Sequence, residues 1–200
     1  MTNELYRSIR KKMKKELDPE RYRHTLGVAY TAQCLAMRYG YDLEKAYLAG
    51  LLHDCAKCIP DKDRIPLCKE WNIELSDVEK KNHSLLHAKM GAYLAEKKYD
   101  ITDEEVLLAI RYHTTGRAGM TTLEKIVFTA DFIEPNRNPF PKLAEIRETA
   151  FVNIDKAIGM IARSTIDYVI SKNQEVDLTE LAVAEYYESL SSENSDLYGD

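Results

Sequence analysis

From Pro19 onward, apolar side chains recur every three or four residues almost without interruption, and no stretch alternates apolar and polar residues with period two. That recurrence lines one face of a helix and is of no use to a half-buried strand, so the chain is expected to fold as packed helices. Composition agrees where it matters: of 200 residues only 8 are Gly and 6 are Pro, and Ala, Leu, Glu and Lys fill the periodic stretches. The spacing predicts helices over about 2–16, 19–39, 42–57, 61–71, 76–98 (broken near Asn82), 102–113, 121–134, 142–171 (broken near Ala150) and 179–190. Asp18-Pro19-Glu20 reads as a helix start: a capping side chain, a proline in the first turn and an acid facing the helix dipole. Thr102 and Thr121 are placed as N-caps, and Gly40 and Gly116 fall just beyond helix ends. Phe151, Ile154, Ile158, Ile161, Thr165 and Val169 form a stripe at helical spacing, which predicts a core helix. No internal repeat or low-complexity linker divides the chain. The expectation is an all-α, compact single-domain helical bundle over 19–190, with a basic N-terminal helix over 1–18 packed on it and a flexible acidic tail over 191–200.

The formal charge of −5 argues against a general nucleic-acid binder. Arg7, Arg10, Lys11, Lys12, Lys14 and Lys15 do crowd the first helix, beside the thin apolar stripe Leu5, Ile9, Met13 and Leu17. Such a helix is read as a solvated face docked by one narrow stripe rather than as an arm for RNA or membrane. No apolar run is long enough to span a bilayer, and the first residues lack the apolar block of a signal peptide, so a cytoplasmic location is expected. Cys34, Cys55, Cys58 and Cys68 are too few and too unevenly spaced for a disulfide scaffold. Cys55 and Cys58 match C-x-x-C but lack the second pair a zinc site needs.

The stretch LLHDCAK, residues 51–57, sets a histidine and an aspartate together straight after an apolar run. The pattern repeats elsewhere. His24 shares a face with Val28, Thr31 and Leu35. His53 continues the small-residue line Ala46, Ala49, Gly50. His87 falls among Leu86, Met90, Gly91 and Leu94, His113 completes Val106 and Ile110, and Asp131 follows Leu123, Val127 and Ala130. Any one of these, taken alone, is an ordinary core residue hydrogen-bonded to a carbonyl. Taken together, with Asp54, they are four imidazoles and two carboxylates on inward faces of five helices, and a shared cation cluster satisfies them all at once. Imidazole with carboxylate suits iron, manganese, zinc or nickel, and the absence of thiolate disfavours a structural zinc site. Asp54 has two oxygens with which to bridge two ions. Lys57, four residues after His53 and three after Asp54, reads either as a phosphate contact or as an ordinary surface lysine at a helix end.

The order His24, His53-Asp54, His87, His113, Asp131 resembles the HD-domain superfamily of metal-dependent phosphohydrolases. More narrowly, the strings YRHTLGVA, AGLLHDCAK, LHAKMGAYL, AIRYHTTGRAGM and ADFIEPNR are similar to the YqeK-type HD proteins, which hydrolyse diadenosine tetraphosphate symmetrically to two ADP. The resemblance implies a divalent metal pair, iron first and manganese, nickel or zinc as alternatives, held by His24, His53, Asp54, His87, His113 and Asp131. It implies catalytic roles for Asp54, Lys57 and Arg137. Substrate contacts are expected at Arg21, Lys57, His87, His113, Thr114, Arg117 and Arg137, and at Lys172 and Asn173 where the resembling stretch ends. His83 lies one helical turn before His87 but is set aside, because His87 fits the family string. The implied partner is a dinucleoside polyphosphate, with no stable nucleic-acid complex, no membrane, and room for a homodimer. Two rivals stay open: another HD-type nucleotide phosphohydrolase, such as a nucleotidase or phosphodiesterase, and a non-catalytic nucleotide-binding module.

Overall fold

The computed structural model describes the backbone of residues 3–173, 175–176 and 178–196, and side chains from Glu4 to Leu190 within those limits. Among the described residues eleven α-helices follow one another: α1 (Asn3–Glu16), α2 (Pro19–Tyr39), α3 (Leu43–Leu52), α4 (Asp61–Glu70), α5 (Asp77–Lys81), α6 (Leu86–Tyr99), α7 (Glu104–Tyr112), α8 (Thr122–Ile133), α9 (Leu143–Ala150), α10 (Ile154–Ser171) and α11 (Leu178–Asp196). A short 3-10 turn, His83–Leu85, leads into α6, and no strand occurs among the described residues. The breaks expected near Asn82 and Ala150 are both present. The tail expected over 191–200 lies outside the residues whose side chains are described, and the backbone of α11 continues to Asp196.

Local chemistry explains most of the boundaries. Asp18 Oδ1 accepts the backbone N–H groups of Glu20 and Arg21, and Gly40 closes α2 at φ 64°, where a side chain would be strained. Thr121 and Glu124 exchange side-chain and backbone bonds in a capping box at the start of α8. α7 differs from expectation: its cap is Asp103, not Thr102, and the Asp103 carboxylate also meets Lys45 at 2.8 Å. α3 also stops earlier than the spacing suggests, at Leu52 rather than near residue 57. The reason is a competitor for one carbonyl: the His53 ring donates Nδ1–H to Gly50 O at 2.7 Å, the acceptor that Asp54 N–H would need to extend the helix. Residues 53–59 wind on as i→i+3 turns, with Cys55 N on Leu52 O, Lys57 N on Asp54 O and Ile59 N on Ala56 O.

One main core joins α1, α2, α3, α6, α7, α8, α9, α10 and α11, and a smaller cluster of Ala56, Cys68, Leu86 and Met90 sits under α4 and Trp71. Ile9, Met13 and Leu17 of the N-terminal stripe belong to the main core. The stripe of α10 is corrected at its ends: Ile154, Ile158 and Ile161 are buried, but Ile166 continues the buried line in place of Thr165 and Val169, and Phe151 lies 38 % exposed in the turn before the helix. α2 and α3 approach so closely at Gly50 that a Cβ there would sit 2.8 Å from Ala29 Cα. That close crossing brings His24 and His53 to one another. All four cysteines are free thiols, and no described helix is long and apolar enough to cross a membrane.

Candidate metal centre

Five segments deliver polar side chains to one buried point. His24 comes from α2, His53 and Asp54 from the turns after α3, His87 from α6, His113 from the end of α7 and Asp131 from α8. His24, His53, Asp54, His87 and His113 are all buried. The two Asp54 oxygens point to different neighbours. Oδ2 lies 3.4 Å from His53 Nε2 and 3.8 Å from His24 Nε2, while Oδ1 lies 3.3 Å from His87 Nε2 and 3.6 Å from His113 Nε2. Asp131 Oδ1 closes the first group, 3.0 Å from His24 Nε2 and 3.8 Å from His53 Nε2.

The ring tautomers follow from the acceptors on the far side of each imidazole. Nδ1 of His53 faces Gly50 O, that of His113 faces Ile110 O at 2.7 Å, that of His87 faces Ser84 O, and that of His24 faces Glu134 Oε1 at 3.0 Å. Each Nδ1 therefore carries a proton and each Nε2 turns inward; at His53, His87 and His113 it presents a lone pair, while at His24 it faces the Asp131 carboxylate, where a proton or a metal ion can sit. The consequence is crowding without compensation: His87 Nε2 and His113 Nε2 are 3.1 Å apart, and Nε2 of His53 and Oδ1 of Asp54 are buried with no hydrogen-bond partner. Orphaned lone pairs of this kind are costly unless a cation occupies the space between them. Two donor triplets, His24 with His53 and Asp131, and His53 with Asp54 and His113, keep their ligand atoms within 4.8 Å of one another. The residues present fit divalent metal.

Electrostatics support the same reading. Burial pushes the His53 pKa down, and burial together with neighbouring His113 pushes His87 down to about 3, so both stay neutral and able to ligate. Burial would raise the carboxyls of Asp54 and Asp131. At Asp131 it is outweighed by the His24 hydrogen bond and Arg137, and at Asp54 by whatever positive charge, proton or metal ion, sits among His53, His113 and His87, so both are pulled down. Burial also works against a charged His24, but Asp131 and Glu134 overcome it and raise its pKa. A proton or a metal ion answers the same excess of negative charge.

The other expected site residues divide by position. Arg21 Nη1 meets Asp54 Oδ2 at 2.9 Å, and Arg137 binds both the backbone oxygen and the carboxylate of Asp131. Thr114 Oγ1 lies 3.1 Å from both His87 Nε2 and His113 Nε2. Lys57 is partly buried, and burial lowers its pKa against the pull of Asp54. Arg117 is not brought to the cluster: it is held by Glu124 at 2.9 Å and lies over the Tyr112 ring. Lys172 sits over the Tyr168 ring, and Asn173 follows α10 at φ 54°. His83 turns to Asp61 and the backbone oxygen of Lys80 instead of the centre. Sequence reasoning gave no role to Glu134, although it stands in ADFIEPNR. The available signal was an acid directly after the apolar end of α8, where it proves to be 1 % exposed.

Beside the centre opens a groove of about 1210 Å³, whose lining includes Arg21, His24, Glu134, Arg137, Phe140 and Tyr168. An all-α body that converges histidines and aspartates from five segments on one buried point defines a helical divalent-metal centre. The chain belongs to the HD domain family, whose model matches residues 21–136. It is 40 % identical over 164 residues to a protein of Bacillus subtilis named symmetrical bis(5'-nucleosyl)-tetraphosphatase, covering 82 % of this chain and 87 % of that one. A protein of the same name from Staphylococcus aureus is 39 % identical over 180 residues, with 88 % and 92 % covered. A crystal structure from Clostridium acetobutylicum, described as a predicted HD superfamily hydrolase involved in NAD metabolism, superposes with a TM-score of 0.88 at 42 % identity, covering 92 % of this chain and 97 % of that one.

Proposed function

We propose that this chain hydrolyses dinucleoside tetraphosphates symmetrically, converting diadenosine tetraphosphate to two ADP. The observation that carries the reading is the partition of Asp54, whose Oδ2 faces the His24 and His53 imidazoles while Oδ1 faces those of His87 and His113. We assign a pair of ions to those two halves, the first with Asp131 added, and take iron as the first candidate, with manganese, nickel and zinc suited to the same donors. When bound, such ions supply a nucleophile at neutral pH and neutralise charge on the phosphoryl oxygens.

The protein's own groups do the rest. His53 and His87 stay neutral and the carboxyls of Asp54 and Asp131 are pulled down, so these four donors are ready without prior loss of protons. Lys57 holds a partly desolvated ammonium close enough to feel both Asp54 and Asp131, where it meets the charge that develops on a departing ADP. Arg21 and Arg137 line the groove and offer guanidinium forks to phosphate oxygens. The Thr114 hydroxyl, set between His87 and His113, is a polar contact for a phosphoryl oxygen. The groove has room for one nucleoside half, with Phe140 and Tyr168 as apolar walls and Lys172 over the Tyr168 ring. We read residues 19–190 as the catalytic unit and the helix of 1–18 as a packing element, and we place the protein in the cytoplasm, without membrane or nucleic-acid partner.

Product analysis on diadenosine tetraphosphate with metal-loaded protein tests the proposal. Two ADP are expected. ATP plus AMP would refute the symmetrical cut, and no product from any nucleotide would refute the enzyme.

A further inference from the structure

Three of the four imidazoles at the centre are oriented by the backbone of their own segment. His53, His87 and His113 each place Nδ1 on the backbone carbonyl three residues earlier, Gly50, Ser84 and Ile110, and each lies at a helix end or in the first turn, where such a carbonyl is free. His24 has no such option. It lies inside α2, which runs unbroken from Pro19 to Tyr39, so the nearby carbonyls are engaged in the helical ladder. Its acceptor comes from 110 residues away, as Glu134 Oε1 at 3.0 Å.

The Glu134 carboxylate is itself held on every side. Its other oxygen accepts both the backbone N–H of Asn136 at 2.7 Å and the Asn136 side-chain amide at 2.9 Å. Arg147 donates to the backbone oxygens of Ile133 and Glu134, both at 2.8 Å, and so fixes the end of α8. The space for Oε2 exists because residue 27 has no side chain: a Cβ there would lie 2.2 Å from Oε2. A glycine inside a helix is ordinarily a weakness. Here it is the cradle of the carboxylate.

We propose that Glu134 is the positioning residue of the His24 half of the centre, holding the proton on Nδ1 and the Nε2 lone pair toward Asp131 and Asp54, and that Gly27 is required for it. Partners of this kind fix the tautomer and raise the basicity of a ligating imidazole. The inference rests on the metal reading proposed above and goes beyond it by making the two halves unequal. The His24 half depends on a long-range carboxylate, and the His87 and His113 half depends only on local carbonyls.

The test is manganese(II) binding to the full-length protein, with helix content followed by circular dichroism. Glu134→Gln turns an amide NH₂ toward either His24 Nδ1 or the Asn136 donors, and Gly27→Ala displaces the carboxylate without touching a ligand. Both are expected to keep the helical signal and to weaken one of two manganese ions about 10–100-fold, leaving the other unchanged. The double variant should be no worse than the poorer single one, because both remove the same contact. His53→Ala is the control. If it loses metal while Gly27→Ala and Glu134→Gln bind both ions with parent affinity, the role of Glu134 is refuted and the metal reading stands. If His53→Ala also keeps both ions, the metal reading itself falls. Should Glu134→Gln fail to fold, Gly27→Ala decides alone.

Discussion

Lys57 sits beside the centre with its pKa lowered, chiefly because burial disfavours the charged ammonium. For a base whose folded-state pKa lies below its unfolded one, the unfolded chain binds the proton more tightly, so the charge works against folding at neutral pH. Replacing it should separate stability from catalysis. Lys57→Met is expected to reduce kcat by roughly 10²–10³-fold, as loss of a transition-state charge partner does, with a thermal midpoint no lower than the parent's. Unchanged turnover together with a lower midpoint would make Lys57 a structural residue. Asp54→Ala should lose turnover and metal together, measured by activity and elemental analysis, because both halves share that carboxylate. His83→Ala should leave both at parent level, since the ring faces Asp61 and Lys80. At this scale the sequence was informative because a histidine in an apolar stripe is visible without coordinates. Glu134 escaped notice because its purpose depends on a ring 110 residues distant.

The helices are where local chemistry and tertiary demand meet. Thr121 was legible as a cap because Ser or Thr followed by Glu three residues on is a complete local circuit, and the structure closes it through Glu124. Thr121→Ala should cost about 1 kcal/mol in denaturant unfolding, yet leave metal content intact, because Asp131 lies at the opposite end of α8. A loss of metal in that variant would mean that α8 moves as a rigid unit. Thr102 failed as a cap because its neighbour Asp103 takes the Glu105 N–H, and a distant partner, Lys45, also holds that carboxylate. The same limit applies to α3, where periodicity runs past Leu52 but His53 takes the Gly50 carbonyl. Arg117, expected at phosphate, pairs with Glu124 across a turn, a contact its own segment does not announce.

For the molecule as a whole, the basic first helix is an integral part of the body. Met13 is fully buried and Ile9 nearly so, so Met13→Ala should destabilise the fold by about 2–5 kcal/mol in urea titration. A negligible change would return α1 to the role of a loosely attached arm. What the sequence settled by itself is what short-range physics settles: all-α content, most helix starts, the N-terminal stripe, and the set of polar residues too costly to bury alone. These are legible because hydrophobic spacing, capping and desolvation act within a few residues or on one residue at a time. The division of the Asp54 oxygens, the clasp of Arg21 and Arg137 on the two aspartates, and the service of Glu134 and Gly27 to His24 were decided only by tertiary structure. Each joins groups that share no local pattern, and their distances are set by how α2, α3 and α8 pack.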